Sequence, residues 1–152
     1  MEYPGRAACV KAQQMEKIDE IIGVDHIGYA VNDMTSAKRY FEALGYSFGD
    51  EKADELRKVN VCVGKSGGVK VEILAPLDGT KSPIDGILKK MGSTPYHICY
   101  NVKSMESVLE KMQNMGYTLM GYPTPSEPLG GEVCFLYSAE IGIVELIEYM
   151  HF

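Results

Sequence analysis

The sequence predicts an α+β domain built from two tandem βαβββ modules, because the chain contains one pattern twice. The segment HIGYAV at 26–31 returns as HICYNV at 97–102, an offset of 71 residues. Near the end of each half, VEIL at 71–74 corresponds to VELI at 144–147, an offset of 73 residues. Internal repeats of this kind mark structural units that bury their hydrophobic faces against each other.

Composition places the chain among globular proteins. Of its 152 residues, 45% are hydrophobic and 24% are charged, and the net charge of −6 comes without a run of lysine or arginine. Nucleic acid and membrane are therefore not expected partners. No apolar stretch reaches the roughly 18 residues of a membrane span, and the N-terminus lacks the apolar core of a secretory signal. We expect a cytoplasmic protein whose cysteines, none in a CxxC spacing, stay reduced.

The first 22 residues lie outside the repeat. The stretch VKAQQMEKIDEII at 10–22 has apolar residues at helical spacing, which predicts a short helix. We therefore expect an N-terminal helical arm over residues 1–22, followed by a single domain over residues 23–152.

The first module should span about residues 23–75. Its first strand, VDHIGYAV at 24–31, alternates β-branched or aromatic residues with small or polar ones. A helix follows, because apolar residues recur at i, i+3 and i+4 before Gly45, which fits a left-handed helix stop. These apolar residues are Met34, Ala37, Tyr40, Phe41 and Leu44. Three further strands are predicted, at about 46–49, 57–63 and 69–75.

The connection at 76–94 carries a helix signal of its own. Ser82-Pro83 is a helix start with proline at the first helical position, and Gly92 stands near the end of the segment. One short helix is therefore expected between the two modules.

The second module, about residues 95–149, repeats the plan of the first. Its first strand is YHICYNV at 96–102, and a helix before Gly116 carries Met105, Val108, Leu109, Met112 and Met115. Strands are then predicted near 117–121, 131–137 and 142–149, with a proline-rich loop before the second of them. Neither module alone would bury both faces of its sheet, so the two must pack together.

The repeat places two histidines and two glutamates at equivalent points. Strand alternation puts His26 and His97 on the face opposite the one that their helices cover. Glu145 and Glu72 both lie within apolar strands, where an unpaired carboxylate is costly. The four side chains could form a shell around one divalent cation, with positions left for water or substrate. Taken singly, each also fits an ordinary role, as a hydrogen-bonded core histidine or a glutamate at an exposed strand edge.

Four segments resemble the vicinal oxygen chelate superfamily, which includes glyoxalase I, methylmalonyl-CoA epimerase and the bleomycin resistance proteins. They are HIGYAVNDMTSAKRYFEALGY, VEILAPLDGTKSPI, PYHICYNV and GIVELIE. The resemblance covers about residues 23–149 and implies a cupped mixed sheet around one site. It matches His26 and His97 to the family's histidines and Glu72 and Glu145 to its carboxylates. These residues would bind one divalent metal ion, with Ni, Co or Zn favoured.

The resemblance is strongest to small bacterial glyoxalase I-like proteins. It implies a metal-dependent lyase or isomerase that converts the hemithioacetal of methylglyoxal and a thiol to a 2-hydroxyacyl thioester through a metal-bound enediolate. Glu145 is then the candidate catalytic base and Glu72 its catalytic partner on the opposite side. Family members commonly pair, so a homodimer is expected.

Two alternatives stay open. The run VEILAPLDGTKSPIDGILKK resembles epimerases, in which a similar loop and helix cover the acyl-CoA end; the substrate would then be an acyl-CoA thioester. Some epimerases carry an extra base on the strand before that of Glu72, where this chain has Asn60 and no carboxylate. The other alternative is a non-catalytic protein that binds a small ligand, like the bleomycin resistance proteins.

Overall fold

The structure is a computed structural model that describes residues 15–78 and 81–150. Within them it confirms the α+β fold with two βαβββ modules. The elements of the first module are β1 (Ile21–Ala30), α1 (Met34–Ala43), β2 (Ser47–Phe48), β3 (Lys52–Asp54), β4 (Val59–Ser66) and β5 (Val69–Pro76). The connecting helix is α2 (Asp85–Met91). The elements of the second module are β6 (Thr94–Val102), α3 (Met105–Asn114), β7 (Thr118–Leu119), β8 (Thr124–Ser126), β9 (Gly131–Ser138) and β10 (Gly142–Tyr149).

The described strands form a single mixed sheet in the order β2-β4-β5-β1-β6-β10-β9-β7, with β3 and β8 added to β4 and β9. The first strands of the two modules, β1 and β6, pair antiparallel at the centre. Each also pairs parallel with the last strand of its own module, β5 or β10. The four strands that carry the two histidines and two glutamates are therefore immediate neighbours.

The helices α1 and α3 cover one face of this sheet. Tyr29 and Phe41 pack with a buried cluster under α1, and Tyr100 packs with the corresponding cluster under α3. Each helix begins with a polar cap, because Asp33 and Ser104 accept a hydrogen bond from the backbone N–H three residues further on. The other face of the central strands is left for the histidines and glutamates, as the alternation predicts.

Two short strands differ from the sequence prediction. Strand β3 lies in a segment expected to be a loop, and β8 lies in the predicted proline-rich loop. Each has only three residues and pairs with one neighbour, β4 or β9. Strands this short carry no readable alternation, and the proline at the centre of β8 is tolerated because β8 is an edge strand.

The expected N-terminal helix is wrong for residues 15–22, and its remainder lies outside the described residues. The chain is irregular before a turn at 19–20, and β1 begins at Ile21. Glu20 accepts hydrogen bonds from Ser107 Oγ and Lys111 Nζ on α3, while Ile18 and Ile21 pack on the α3 cluster. Although these apolar residues have helical spacing, they are not in a helix; they pack against α3 instead. The domain boundary after residue 22 stays a prediction.

None of the helices within residues 15–78 and 81–150 combines the length and the apolar character that crossing a membrane requires.

Gly28 gives His97 the space that it occupies. The two residues face each other across β1 and β6, and a Cβ on Gly28 would lie 2.0 Å from His97 Cε1. The imidazole cannot move aside freely, because the rings of Tyr96 and Phe135 pack against it at centroid distances of 4.5 and 5.2 Å. His97 can therefore occupy its position only because Gly28 has no side chain.

We expect Gly28→Ala to lower the free energy of unfolding by about 1–3 kcal/mol, the usual cost of overpacking a core. Denaturant unfolding measures the change. Gly23→Ala is the matched control on the same strand, because nothing lies within 4 Å of a Cβ there. Equal stability of the Gly28→Ala and Gly23→Ala variants would contradict the assigned role of Gly28.

Candidate metal centre

Four ionisable side chains from four adjacent strands meet in the interior. His26 comes from β1, Glu72 from β5, His97 from β6 and Glu145 from β10, and each is only 1–3% exposed. One ligand atom from each lies within 4.8 Å of those of the other three. The structure thus brings together all four residues that the sequence singled out as candidate metal ligands.

The contacts converge on two carboxylate oxygens. Glu145 Oε1 lies 3.1 Å from Nε2 of both His26 and His97. Glu72 Oε1 lies 3.5 Å from His26 Nε2 and 3.7 Å from His97 Nε2. Ligand bonds of about 2.1 Å to a divalent cation place neighbouring donor atoms about 3.0–3.4 Å apart. The observed spacing is close to that range.

His97 provides a second test of fit. Its ring is buried, and neither Nδ1 nor Nε2 has a hydrogen-bond partner among the residues described. A buried polar atom without a partner is costly. The short distance from His97 Nε2 to Glu145 lacks the direction of a hydrogen bond but suits two ligands of one ion. A divalent cation bound by His97 Nε2 would remove part of this cost.

His26 is oriented by a polar network on its other side. Its Nδ1–H donates to Asp25 Oδ2 over 2.7 Å, which turns Nε2 towards the carboxylates of the two glutamates. Asp25 also accepts a hydrogen bond from the Tyr149 hydroxyl. Lys70 Nζ lies 3.3 Å from Asp25 Oδ2 and donates to the Tyr149 oxygen over 3.1 Å. A carboxylate behind a histidine in this way is the usual support of a metal-binding imidazole.

The electrostatics of the cluster favour positive charge. Burial alone would raise the pKa of Glu145, but the ring nitrogens of His26 and His97 hold it below its ordinary value. Burial alone would lower the pKa of His26, but hydrogen bonding to Asp25 and interactions with the two glutamates raise it. The raised pKa of His26 reflects the three carboxylates around its ring. The donor set, with two imidazoles and two carboxylates, suits a divalent transition metal ion.

A largely apolar cavity of about 230 Å³ adjoins this cluster. Tyr96 and Phe135 line the cavity, and their rings pack on His97. Leu74 and Ile143 line it as well, and they lie on the strands of the two glutamates, each two residues from the glutamate of its strand. Ile84 and Ile87 of the α2 region form another part of the wall. Burial and the charges of Glu72 and Glu145 raise the pKa of Tyr96, so its hydroxyl stays protonated. A small organic ligand in this cavity would lie against the two rings that pack on His97.

Asn60 and Cys99 lie near the strands of the site but have no assigned part in its chemistry. Alternation along β4 places Asn60 with Cys62 on the helix-covered face, while Val59 and Val61 point to the cavity side. Asn60 therefore does not stand in for a base. Cys99 is fully buried beside His26, and burial raises the pKa of its thiol. It fits a small buried hydrophobe.

Sequence reasoning missed Asp25, Tyr149 and Arg57. Asp25 directly precedes His26, so a search for carboxylates next to candidate ligands would have found it. Tyr149 lies at the end of β10 and contacts Asp25 only through the packing of the strands. Arg57 lines the cavity from the turn before β4, a position that no periodic pattern marks.

The comparisons with known proteins agree on one family. A model of the Glyoxalase/Bleomycin resistance protein/Dioxygenase superfamily matches residues 25–135. Ethylmalonyl-CoA/methylmalonyl-CoA epimerase of Cereibacter sphaeroides is 30% identical over 128 residues, which cover 81% of this chain and 95% of that protein. The uncharacterized protein YqjC of Bacillus subtilis is also 30% identical over 128 residues, 82% of this chain and 91% of that protein.

Among solved structures, methylmalonyl-CoA epimerase from Mycobacterium tuberculosis superposes with a TM-score of 0.78 at 22% identity. The superposition covers 92% of this chain and 96% of that one, which shows a shared fold. Together with the family match over most of the chain, these comparisons identify the superfamily of this protein. The chain belongs to the glyoxalase/bleomycin resistance protein/dioxygenase superfamily, also called the vicinal oxygen chelate superfamily.

Proposed function

We propose that this protein is a metal-dependent epimerase that moves the α-proton of a branched malonyl-CoA thioester such as methylmalonyl-CoA. The observation that carries the proposal is the buried set of two histidines and two glutamates beside an apolar cavity. The 30% identity to an ethylmalonyl-CoA/methylmalonyl-CoA epimerase supports this reaction. It favours the epimerase over the hemithioacetal isomerase that the sequence analysis placed first.

His26, Glu72, His97 and Glu145 would hold one divalent cation. When bound, that cation would supply positive charge for the negative charge that develops on the substrate's carbonyl oxygen as the α-proton leaves. The histidines and the network behind His26 fix the donor positions. The surrounding apolar residues exclude water, which strengthens every electrostatic interaction in the site.

The two glutamates are the candidate proton carriers. Epimerisation removes a proton from one face of the α-carbon and returns it to the other, so it needs groups that accept and donate protons on both sides. Glu145 and Glu72 come from equivalent strands of the two modules and approach the centre from opposite sides of the β1–β6 pair. The neighbouring imidazoles keep Glu145 ionised despite its burial, so it can accept the proton as a general base.

A second candidate function is isomerisation of a hemithioacetal. One observation favours it: among the described residues that line the cavity, none is a carboxylate. Within the described part of the chain, the cavity wall thus offers no carboxylate that could act as an extra base in addition to Glu72 and Glu145. A single carboxylate that moves a proton between adjacent carbons suffices for this reaction. The choice of metal, with Ni, Co or Zn favoured, and the pairing of two copies stay predictions.

We expect the metal-loaded protein to exchange the α-proton of methylmalonyl-CoA with solvent deuterium, measured by mass spectrometry. Glu145→Gln keeps the shape and one oxygen of the side chain but weakens proton acceptance. It should lower the exchange rate roughly 10²–10⁴-fold, the usual contribution of a general base, with metal occupancy restored.

Glu148→Gln is the matched control, because Glu148 lies on the same strand and bonds to the Met105 N–H of α3 instead. It should leave exchange close to that of the parent. If methylmalonyl-CoA is inert while a methylglyoxal–thiol adduct reacts, the hemithioacetal function replaces the epimerase. Binding of small ligands without either reaction would favour a non-catalytic protein.

We also expect chelator-stripped protein to bind one divalent ion per chain in calorimetric titrations with Co²⁺, Ni²⁺ or Zn²⁺. His97→Ala should abolish tight binding. Asp25→Asn should weaken it about 10- to 100-fold, the usual effect of losing a hydrogen-bond partner behind a ligand. Glu148→Gln again serves as the control. The four-residue shell is wrong if His97→Ala binds these ions as tightly as the parent.

A further inference from the structure

Arg57 provides the charge in the wall of an otherwise uncharged cavity. Among the described residues that line this space, the others are aliphatic, aromatic, proline or methionine side chains. The side chain of Arg57 is only 19% exposed. A permanent cation in such a wall is costly unless anions accompany it. Specific contacts hold the guanidinium in the wall. They also determine which of its N–H groups can still bind a ligand.

Three hydrogen bonds fix the guanidinium. Nη1 donates to Asp54 Oδ2 over 2.9 Å and to the Pro125 carbonyl over 3.3 Å. Nη2 donates to Thr124 Oγ1 over 2.5 Å. Asp54 belongs to the first module, whereas Thr124 and Pro125 belong to β8 of the second. The plane of the guanidinium is thus set by both modules at once.

These bonds leave part of the guanidinium without a partner. Of the five N–H groups of an arginine, Nε–H and one on Nη2 have no acceptor among the described residues. Nε–H and an Nη2–H form the edge with which arginine binds a carboxylate through two parallel hydrogen bonds. Because Asp54 and β8 already orient the group, little side-chain entropy is lost when a ligand binds this edge.

The chemistry of the proposed substrate class matches this edge. A branched malonyl thioester carries a free carboxylate beside its reacting carbon, whereas the hemithioacetal of methylglyoxal has none at its reacting end. Carboxylate burial in an apolar cavity is unfavourable unless the charge is paired. We propose that Arg57 binds the free carboxylate of the acyl group and makes the cavity selective for dicarboxylic acyl thioesters. This assignment rests on the proposed epimerase function.

The test compares two ligands that differ in this carboxylate. Calorimetry measures the affinity of metal-loaded protein for equilibrated methylmalonyl-CoA and for propionyl-CoA. Arg57→Met should weaken methylmalonyl-CoA binding roughly 10- to 100-fold, as expected for lost hydrogen bonds to a charged group. The affinity for propionyl-CoA should change by less than about threefold, because this ligand has no free carboxylate that Arg57 could bind. In turnover, KM for methylmalonyl-CoA should rise far more than kcat falls.

Two variants separate carboxylate binding from a purely structural role. Lys58→Met removes a neighbouring, half-exposed cation that pairs with Glu55 and should change neither affinity. Thr124→Val removes one bond between the modules but keeps the guanidinium, so the preference for methylmalonyl-CoA should persist. Arg57→Lys keeps the charge without the two-pronged geometry, so it should retain only part of the preference for methylmalonyl-CoA. It takes the place of Arg57→Met in the comparison if Arg57→Met folds poorly.

Equal losses for both ligands in Arg57→Met, or loss of the preference in Thr124→Val, would overturn the assignment and leave Arg57 as a bond between modules. Unchanged affinities in Arg57→Met would overturn it as well. Proton exchange by the parent protein tests the epimerase separately. If the parent exchanges the α-proton while the preference does not depend on Arg57, only the carboxylate assignment fails. If the parent neither binds nor exchanges methylmalonyl-CoA, both proposals fail.

Discussion

Two carboxylates and two imidazoles are buried around one point, and this burial constrains the strands that carry them. Each of the four side chains is at most 3% exposed, so the protein forgoes the hydration of two negative charges. Such a group is tolerated only when the charges are compensated and the remaining polar atoms are paired. The strand order β5-β1-β6-β10 meets the geometric part of this requirement. A divalent cation would meet the electrostatic part, since the glutamates and Asp25 favour positive charge there, as do the His97 nitrogens, which have no hydrogen-bond partner within residues 15–78 and 81–150.

The two modules hold their equivalent histidines by different means. His26 is fixed by charge, through Asp25 and the Lys70–Tyr149 pair behind it. The residue equivalent to Asp25 in the second module is Tyr96, and His97 is fixed by ring packing and by the space above Gly28. The two modules thus have similar first strands, while each histidine has its own support. The consequence is a site with pseudo-twofold donors but unequal surroundings, which suits a substrate that is itself asymmetric.

Under the proposed function, the cavity would bind its substrate through two different ends. At the end near His97, the four donors offer a place for a cation and two candidate proton carriers. In the wall formed by the turn before β4, Arg57 presents a fixed guanidinium held by both modules. Between them the lining is apolar. An acyl group with one oxygen at the centre and a carboxylate at Arg57 would have its α-carbon between these groups. That arrangement connects the chemistry of the centre to the choice of substrate.

The repeat and its periodicity were enough to predict the modules, their main strands and helices, and the four candidate ligands. Periodicity is a local property, and the repeat placed His26 and His97, and Glu72 and Glu145, at equivalent points of equivalent strands. The further residues that contact these four side chains follow from how the strands pack. Asp25, Lys70 and Tyr149 come from three different strands, and Arg57 reaches β8 from a turn distant in the sequence. The segment before β1 shows the same limit, because the helical spacing of its apolar residues includes Ile18, which packs on the α3 cluster instead, while Glu20 bonds to Ser107 of α3. Such contacts depend on strand pairing between modules, which no local pattern records.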